Sequence, residues 1–239
     1  MDDPRLDVLA IAAHRDDIEI TCGGTIIKMV DSGKKVGILD LTRGEMGTKG
    51  TAEERERDSI EAARIMGIHW RGNLNLPDAG IEITRENKLN IARVIRKFKP
   101  ELVILPFWIQ RHPDHLYASQ LGYDACFLAG LKKLEIENEP HRPRKIIYTS
   151  SFRDVHHSFF IDVTKQMSRK LDAVAAYKSQ FDGSPQSKEI FKPGVDIFEF
   201  MTVTAKHYGH LVGVDYAEAF CVKENILIDD PTAMPVRSI

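Results

Sequence analysis

The sequence predicts an α/β protein built on a doubly wound, mostly parallel sheet flanked by helices, with its active site at the carboxyl ends of the strands. Three observations carry this. The stretches "LDVLAIAA", "KVGILDLT" and "ELVILPF" are short and almost wholly apolar, as parallel strands covered on both faces are. Helical patterns separate them, so strand and helix alternate over the first 130 residues. A chain of 239 residues also suits one α/β domain with a substantial core.

The elements follow in order. "LDVLAIAA" is the first strand, and the pair Gly23-Gly24 opens "GGTIIKMVDSG", a short helix stopped at Gly33. "KVGILDLT" is the next strand. Thr51 and Glu54 have capping-box spacing at the start of "TAEERERDSIEAARIMG", a helix ending at Gly67. "ENKLNIARVIRKFKP" places Leu89, Ile91, Val94, Ile95 and Phe98 largely on one helical face before Pro100 stops it. Strand "ELVILPF" follows, then a loop and the helix "DHLYASQLGYDACFLAGL". The rest is looser: strands "RKIIYTSSF" and "FFIDVT", helix "KQMSRKLDAVAAYKSQF", a polar loop "FDGSPQSKEIFKPGVD", a last helix around "FEFMTVTAKHYGHLVG" and a short strand near "YAEAFCV". Residues 1–239 are read as a single domain, with a Rossmann-like half over 1–135 completed by 136–239.

Composition narrows the partners. Hydrophobic residues make up 43% and charged residues 28%, with a formal charge of −2, an ordinary soluble composition that does not suggest a nucleic-acid backbone as partner. No apolar run approaches the ~20 residues that cross a bilayer. The acidic start "MDDPRLDVLAIAA" lacks the basic opening and cleavage site of a signal peptide, so a cytoplasmic protein is expected. Cys22, Cys126 and Cys221 are far apart and odd in number, and read as small core residues.

Two clusters carry the chemistry. "HRDD", residues 14–17, falls at the carboxyl end of the first strand, and "RHPDH", residues 111–115, a few residues after "ELVILPF", so both should emerge on the same sheet edge. Taken singly, each has a blander reading, with Asp16 or Asp17 capping the next helix and Asp114 doing the same after a Pro-containing turn. Two acid and histidine clusters at two strand ends are harder to dismiss together. A catalytic zinc takes three ligands from His, Asp or Glu and leaves a fourth position to water. Two histidines and one carboxylate from these clusters meet that need, and of two adjacent aspartates one can ligate while the other acts as base. The remaining histidine, held by an aspartate, could stabilise the oxyanion or protonate the leaving amine.

The motifs "AHRDDIE" and "HPDH", with "GGTIIK", "DLTRGEMGTKGTAEER", "ARIMG", "NLNLPDAGI", "YKSQF" and "GVDYAEAF", resemble the PIG-L or LmbE-type zinc-dependent N-acetylglucosaminyl deacetylases over nearly the whole chain. The resemblance is closest to the bacillithiol-pathway branch, which acts on N-acetylglucosaminyl malate. It implies His14, Asp17 and His115 as zinc ligands, Asp16 as general base, and His112, oriented by Asp114, as the charged partner of the tetrahedral intermediate. Arg55 and Asp78 match sugar-hydroxyl contacts, and Arg111 sits where the malate-linked branch has an arginine that could meet carboxylates. It further implies one Zn2+ per chain, a small glycoside substrate and a homo-oligomer; Fe2+ or Co2+ would suit the same ligands. Rivals in the same class are a chitooligosaccharide deacetylase or an amidase of thiol conjugates. From another class comes a non-catalytic zinc or sugar-binding domain, against which the presence of Asp16 and His112 argues.

Several residues stay open. Arg15 stands where the family has a small or cyclic residue, and could face solvent, pair with Glu19 or add charge beside an anionic substrate. The blander alternatives are that Arg55 is a solvated helix residue and Asp78 a turn residue after Pro77. No tyrosine is identified at the oxyanion, since Tyr177 and Tyr208 sit at helical spacings that suit packing. Phe107 and Trp108 could wall the sugar pocket or pack in the core. His156 and His157 adjoin, so on an extended segment they point to opposite faces and read as loop residues.

Overall fold

The computed structural model describes residues 5–149, 155–184 and 195–236. Strand β1 (Val8–Ala12) and strand β2 (Val36–Thr42) are buried at every position, as their apolar runs require. Strand β3 (Trp70–Leu76), β4 (Leu102–Pro106) and β5 (Lys145–Thr149) continue the parallel set. Strand β6 (Phe159–Asp162) and β7 (Ala217–Cys221) join antiparallel, giving one seven-stranded sheet in the order β3-β2-β1-β4-β5-β7-β6. The expected doubly wound, mostly parallel sheet is therefore present.

Alternation along the strands divides the core. Leu9, Ile11, Leu39 and Leu41 face helices α3 (Arg85–Phe98) and α4 (Pro113–Ala129). Val8, Ala10, Ala12 and Ile38 face α1 (Asp17–Asp31), α2 (Ala52–Met66) and α5 (Met167–Ala175). Helix α6 (Ile197–Val212) packs Met201 and Ala205 onto α5. Among the described residues no helix is long and apolar enough to cross a membrane.

Local signals explain most boundaries. The capping box of α2 forms in both directions, Glu54 N–H to Thr51 Oγ1 at 3.1 Å and Thr51 N–H to Glu54 Oε2 at 2.8 Å, and Gly67 ends the helix at φ 77°. Helix α3 buries Leu89, Ile91, Ile95 and Phe98 as patterned and stops at Lys99 before Pro100. Pro113 begins α4 at a position where a missing N–H costs nothing.

Three readings change. The glycine pair does not open α1, which starts at Asp17 and breaks at Cys22 (φ −145°). Its second half is capped from the far end of the chain, because Glu218 accepts from the N–H groups of Gly24 (3.0 Å) and Thr25 (2.7 Å) and from Lys170 Nζ (2.6 Å). A Cβ on Gly24 would lie 2.8 Å from Val163 Cβ, so only glycine lets these groups close up. Second, β3 escapes a search for apolar runs, since "WRGNLNL" alternates. Trp70, Leu74 and Leu76 join the core while Arg71 and Asn73 turn to the opposite face. Third, the helix expected over "KQMSRKLDAVAAYKSQF" is shorter, ending at Ala175 with Tyr177 to Phe181 in a turn. The end of strand "RKIIYTSSF" and most of the polar loop, residues 185–194, lie outside the described residues.

All three cysteines are buried and unpaired, and burial pushes the Cys126 thiol up to about 12 and Cys22 higher. Thiolate is the reactive form. We therefore expect no fast-reacting thiol toward a chromogenic disulfide in the native protein and three in denaturant, and one rapid native reaction would contradict this packing.

Candidate active site

Strand order reverses between β1, whose next strand is β2 on one side, and β4, which leads to β5 on the other. Open α/β sheets bind ligands at such a point, beyond the strand ends. The loop after β1 carries His14–Asp17 and the loop after β4 carries Arg111 and His112 into α4, so both clusters meet there. A cleft of about 270 Å3 opens between them, lined by His14, Asp16, Asp17, Arg55, Asp78, Arg111, His112 and His115. A larger groove of about 500 Å3 between α4, β5 and the chain after β7 gathers no histidine and no cluster of acids, so the smaller cleft is the candidate site.

His14, Asp17 and His115 converge. His14 Nδ1 lies 3.1 Å from His115 Nε2 and 3.5 Å from Asp17 Oδ2, and Asp17 Oδ1 lies 3.2 Å from His115 Nε2. Asp17 is turned back on its own loop, accepting the His14 N–H at 2.8 Å. Ligands about 2.0–2.1 Å from a tetrahedral ion stand roughly 3.3 Å apart, so these separations fit a divalent cation that accepts nitrogen and carboxylate oxygen. Behind them, His14 Nε2 faces Asp78 Oδ1 at 3.1 Å and Asp114 Oδ2 at 3.5 Å. Carboxylates behind a ligating imidazole fix its ring and raise its basicity. His112 completes the group, its ring nitrogen within 4.8 Å of those of His14 and His115.

The electrostatics couple the histidines to the carboxylates around them. Burial pushes the His14 imidazole down, but Asp17, Asp114 and Asp78 around it hold its pKa well above the ordinary value. Burial pushes Asp17 up, and the His115 and His14 rings hold it well below the carboxylate range. Asp78 settles at about 2, its burial outweighed by His14 and by the N–H groups of Met46 (2.8 Å) and Ala79 (2.9 Å). His112 is lowered by burial and by the two neighbouring rings.

Other expected roles shift. The Asp114 carboxylate does not hold the His112 ring; it accepts from Ala79 N–H (2.8 Å) and Ile81 N–H (3.4 Å), and the Asp114 backbone N–H reaches His112 Nδ1 at 3.2 Å. With Nδ1 accepting, a ring proton of His112 is placed on Nε2, where it can donate. Arg55 is not a solvated helix residue, and it lines the cleft. It is buried, donating to Gly44 carbonyl (2.9 Å) and Asp16 Oδ2 (3.2 Å). Gly44, at φ 73°, would put a Cβ 2.5 Å from the Arg55 guanidinium, so both its conformation and its neighbour demand glycine.

Arg15 takes none of its three readings. It is buried against α2, donating to Ser59 Oγ at 2.9 Å with Glu56 3.6 Å away, while Glu19 pairs with Arg71. Arg111 is exposed on the cleft rim. Tyr177 is fully buried beneath the loop, and Tyr208 stacks edge-on to His157, so neither faces the cleft. Phe107 and Trp108 pack together and Trp108 meets Tyr148; neither lines the cleft. His156 and His157 lie in a loop.

Missed were Met46 to Thr48, Gln180 and Phe181, which line the cleft, and Glu19, Asp40 and Arg71, which lie buried beneath it. Glu19 closes the quoted motif "AHRDDIE" and Gln180 and Phe181 close "YKSQF", so the motifs held the signal.

Comparison places these features among known proteins. Residues 9–126 match the PIG-L family, described as GlcNAc-PI de-N-acetylase. Over 227 residues the chain is 33% identical to the diacetylchitobiose deacetylase of Thermococcus kodakarensis, covering 88% of this chain and 80% of that protein. Its fold is similar, at TM-score 0.85, to a conserved protein of Thermus thermophilus, 39% identical over 93% of this chain and 97% of the other. It is also similar, at TM-score 0.77, to the N,N'-diacetylchitobiose deacetylase of Pyrococcus horikoshii in complex with its inhibitor MPG, 28% identical over 89% and 82% of the two chains.

Proposed function

The chain belongs to the PIG-L family of deacetylases, and from that premise we propose that it is a zinc-dependent hydrolase removing the N-acetyl group of an N-acetylglucosamine glycoside. The carrying observation is the convergence of His14 Nδ1, His115 Nε2 and both Asp17 oxygens at 3.1–3.5 Å, beside a carboxylate, Asp16, held by Arg55 in the same cleft.

In this reading His14, Asp17 and His115 hold the ion, with Asp78 and Asp114 fixing the His14 ring. When bound, zinc supplies Lewis acidity toward an amide carbonyl and lowers the pKa of water from 15.7 to about 7. Asp16, pinned at Oδ2 by Arg55, is the base: it takes the proton from attacking water and returns it to the departing glucosamine nitrogen. His112 donates its Nε2–H to the carbonyl oxygen as that atom gains charge. The donor set also suits ferrous iron or cobalt.

For the aglycone we propose malate, supported by Arg111 on the rim, where a guanidinium can fork onto carboxylates. A second amino sugar is the other reading, favoured by the diacetylchitobiose deacetylase relative. Acetate release by metal-loaded protein from N-acetylglucosaminyl malate and from diacetylchitobiose tests both, and no release from either would sink the deacetylase assignment. A charge-assisted bond contributes about 1.5–3 kcal/mol, so Arg111→Ala should lower kcat/KM on the malate glycoside by ~10- to 150-fold. It should scarcely change a neutral glycoside. Equal losses on both would leave Arg111 a support of the loop and remove the reason for an acidic aglycone.

A further inference from the structure

Beneath the cleft lies a buried charged cluster that does not line it. Arg71, on β3, forks onto Asp40 of β2 through Nε (2.8 Å) and Nη2 (3.1 Å) and reaches Glu19 of α1 through Nη1 (2.5 Å). Glu19 and Asp40 are fully buried, and the Arg71 side chain is 9% exposed. Tyr177, fully buried after α5, brings its hydroxyl to 2.9 Å from Glu19 Oε1. Buried ion pairs seldom add net stability, because taking the charges out of water costs as much as their attraction returns. What this cluster does add is direction. Arg71 Nη2 and the Tyr177 hydroxyl both donate to one atom, the carbonyl oxygen of Arg15.

That carbonyl belongs to the peptide joining Arg15 to Asp16. The peptide unit is planar, so fixing its oxygen fixes the Asp16 N–H and Cα with it. The residues on either side are His14 and Asp17, and Asp16 is gripped again at its carboxylate by Arg55. The loop is thus held from below at its backbone and from the side at one side chain.

We infer that Arg71 and Tyr177 are positioning residues which, through the Arg15 carbonyl, set the placement of Asp16 and Asp17 against His14 and His115. The assignment rests on the deacetylase reading for its kinetic consequence and on the ligand geometry alone for its metal consequence. Neither residue meets substrate, so both act on kcat and on metal affinity while leaving KM alone.

Tyr177→Phe removes the hydroxyl and keeps the ring that packs the core. Groups outside the ligand set typically carry ~10- to 100-fold in metal affinity or activity. We expect Tyr177→Phe to weaken zinc binding by that factor in competition with a chromophoric chelator, and to lower kcat similarly at unchanged KM. Arg71→Lys should do the same or worse, since an ammonium cannot fork onto Asp40 and reach Arg15 together. It serves as the second variant if Tyr177→Phe does not fold. Tyr208→Phe, which removes a hydroxyl outside the cleft and keeps the ring packed on His157, should match wild type throughout. Wild-type zinc affinity and kcat in folded Tyr177→Phe would overturn the inference. So would a lower Tm with unchanged zinc affinity, the result of a merely structural contact. If wild type releases no acetate, the deacetylase reading fails while the chelator competition still decides on the clamp.

Discussion

Asp16→Asn is expected to retain its zinc while losing ~10²–10⁴-fold in kcat, the usual cost of removing a general base. Asn matches Asp in shape, and its amide can still meet a neighbour, so the loop should keep its path. What disappears is the ability to take a proton. The geometry separates the two adjacent aspartates: Asp17 contacts both His14 and His115, whereas Asp16 contacts Arg55, 3.2 Å away. Metal content measured on the purified variant beside acetate release decides the matter. Zinc lost in step with activity would mean that the ligand and the base have been exchanged.

His115→Ala should give the opposite pattern, with bound metal and acetate release both falling to background. His115 is the third residue of α4, and its Nε2 stands 3.1 Å from His14 and 3.2 Å from Asp17. Its loss leaves one imidazole and one carboxylate, fewer than the three protein ligands of catalytic zinc sites. Thermal melting provides an independent reading. A ligand at 100 times its Kd stabilises the native state by about 2.7 kcal/mol, which for a chain of this size raises Tm by roughly 5–10 °C. Wild type should show that rise on adding zinc and lose it on chelation, and His115→Ala should show neither. A variant retaining full zinc occupancy would exclude this ligand set.

Most of the scaffold was legible because its signals are local. Strands β1, β2 and β4 are apolar throughout since both faces are covered, and the box at Thr51 and Glu54 spans a single turn. Both ionisable clusters could be placed at one edge from strand direction alone. Pairings across long sequence separations could not. Asp114 looked like the partner of His112, two residues away, but its carboxylate turns to the amides of Ala79 and Ile81, 35 and 33 residues earlier. Arg15 has its partner in Ser59, 44 residues on, and no neighbour in the motif announces it. Strand β3 was hidden by the feature that makes it useful, since a strand placing Arg71 under the loop cannot be apolar throughout. A search for alternation over "WRGNLNL" would have found it.

The capping of α1 by Glu218 has a consequence for how the protein is made. Gly24 and the carboxylate that receives its N–H are 194 residues apart, so at about 5–20 residues per second the ribosome delivers the second roughly 10–40 s after the first. Throughout the later part of that interval His14, Asp17 and His115 are already synthesised, while the helix beginning at Asp17 has no acceptor at its break and Lys170 no buried counter-charge. Contacts of such separation form late, after shorter loops have closed. A nascent chain halted before β7 therefore carries His14, Asp17 and His115 on an unfinished support.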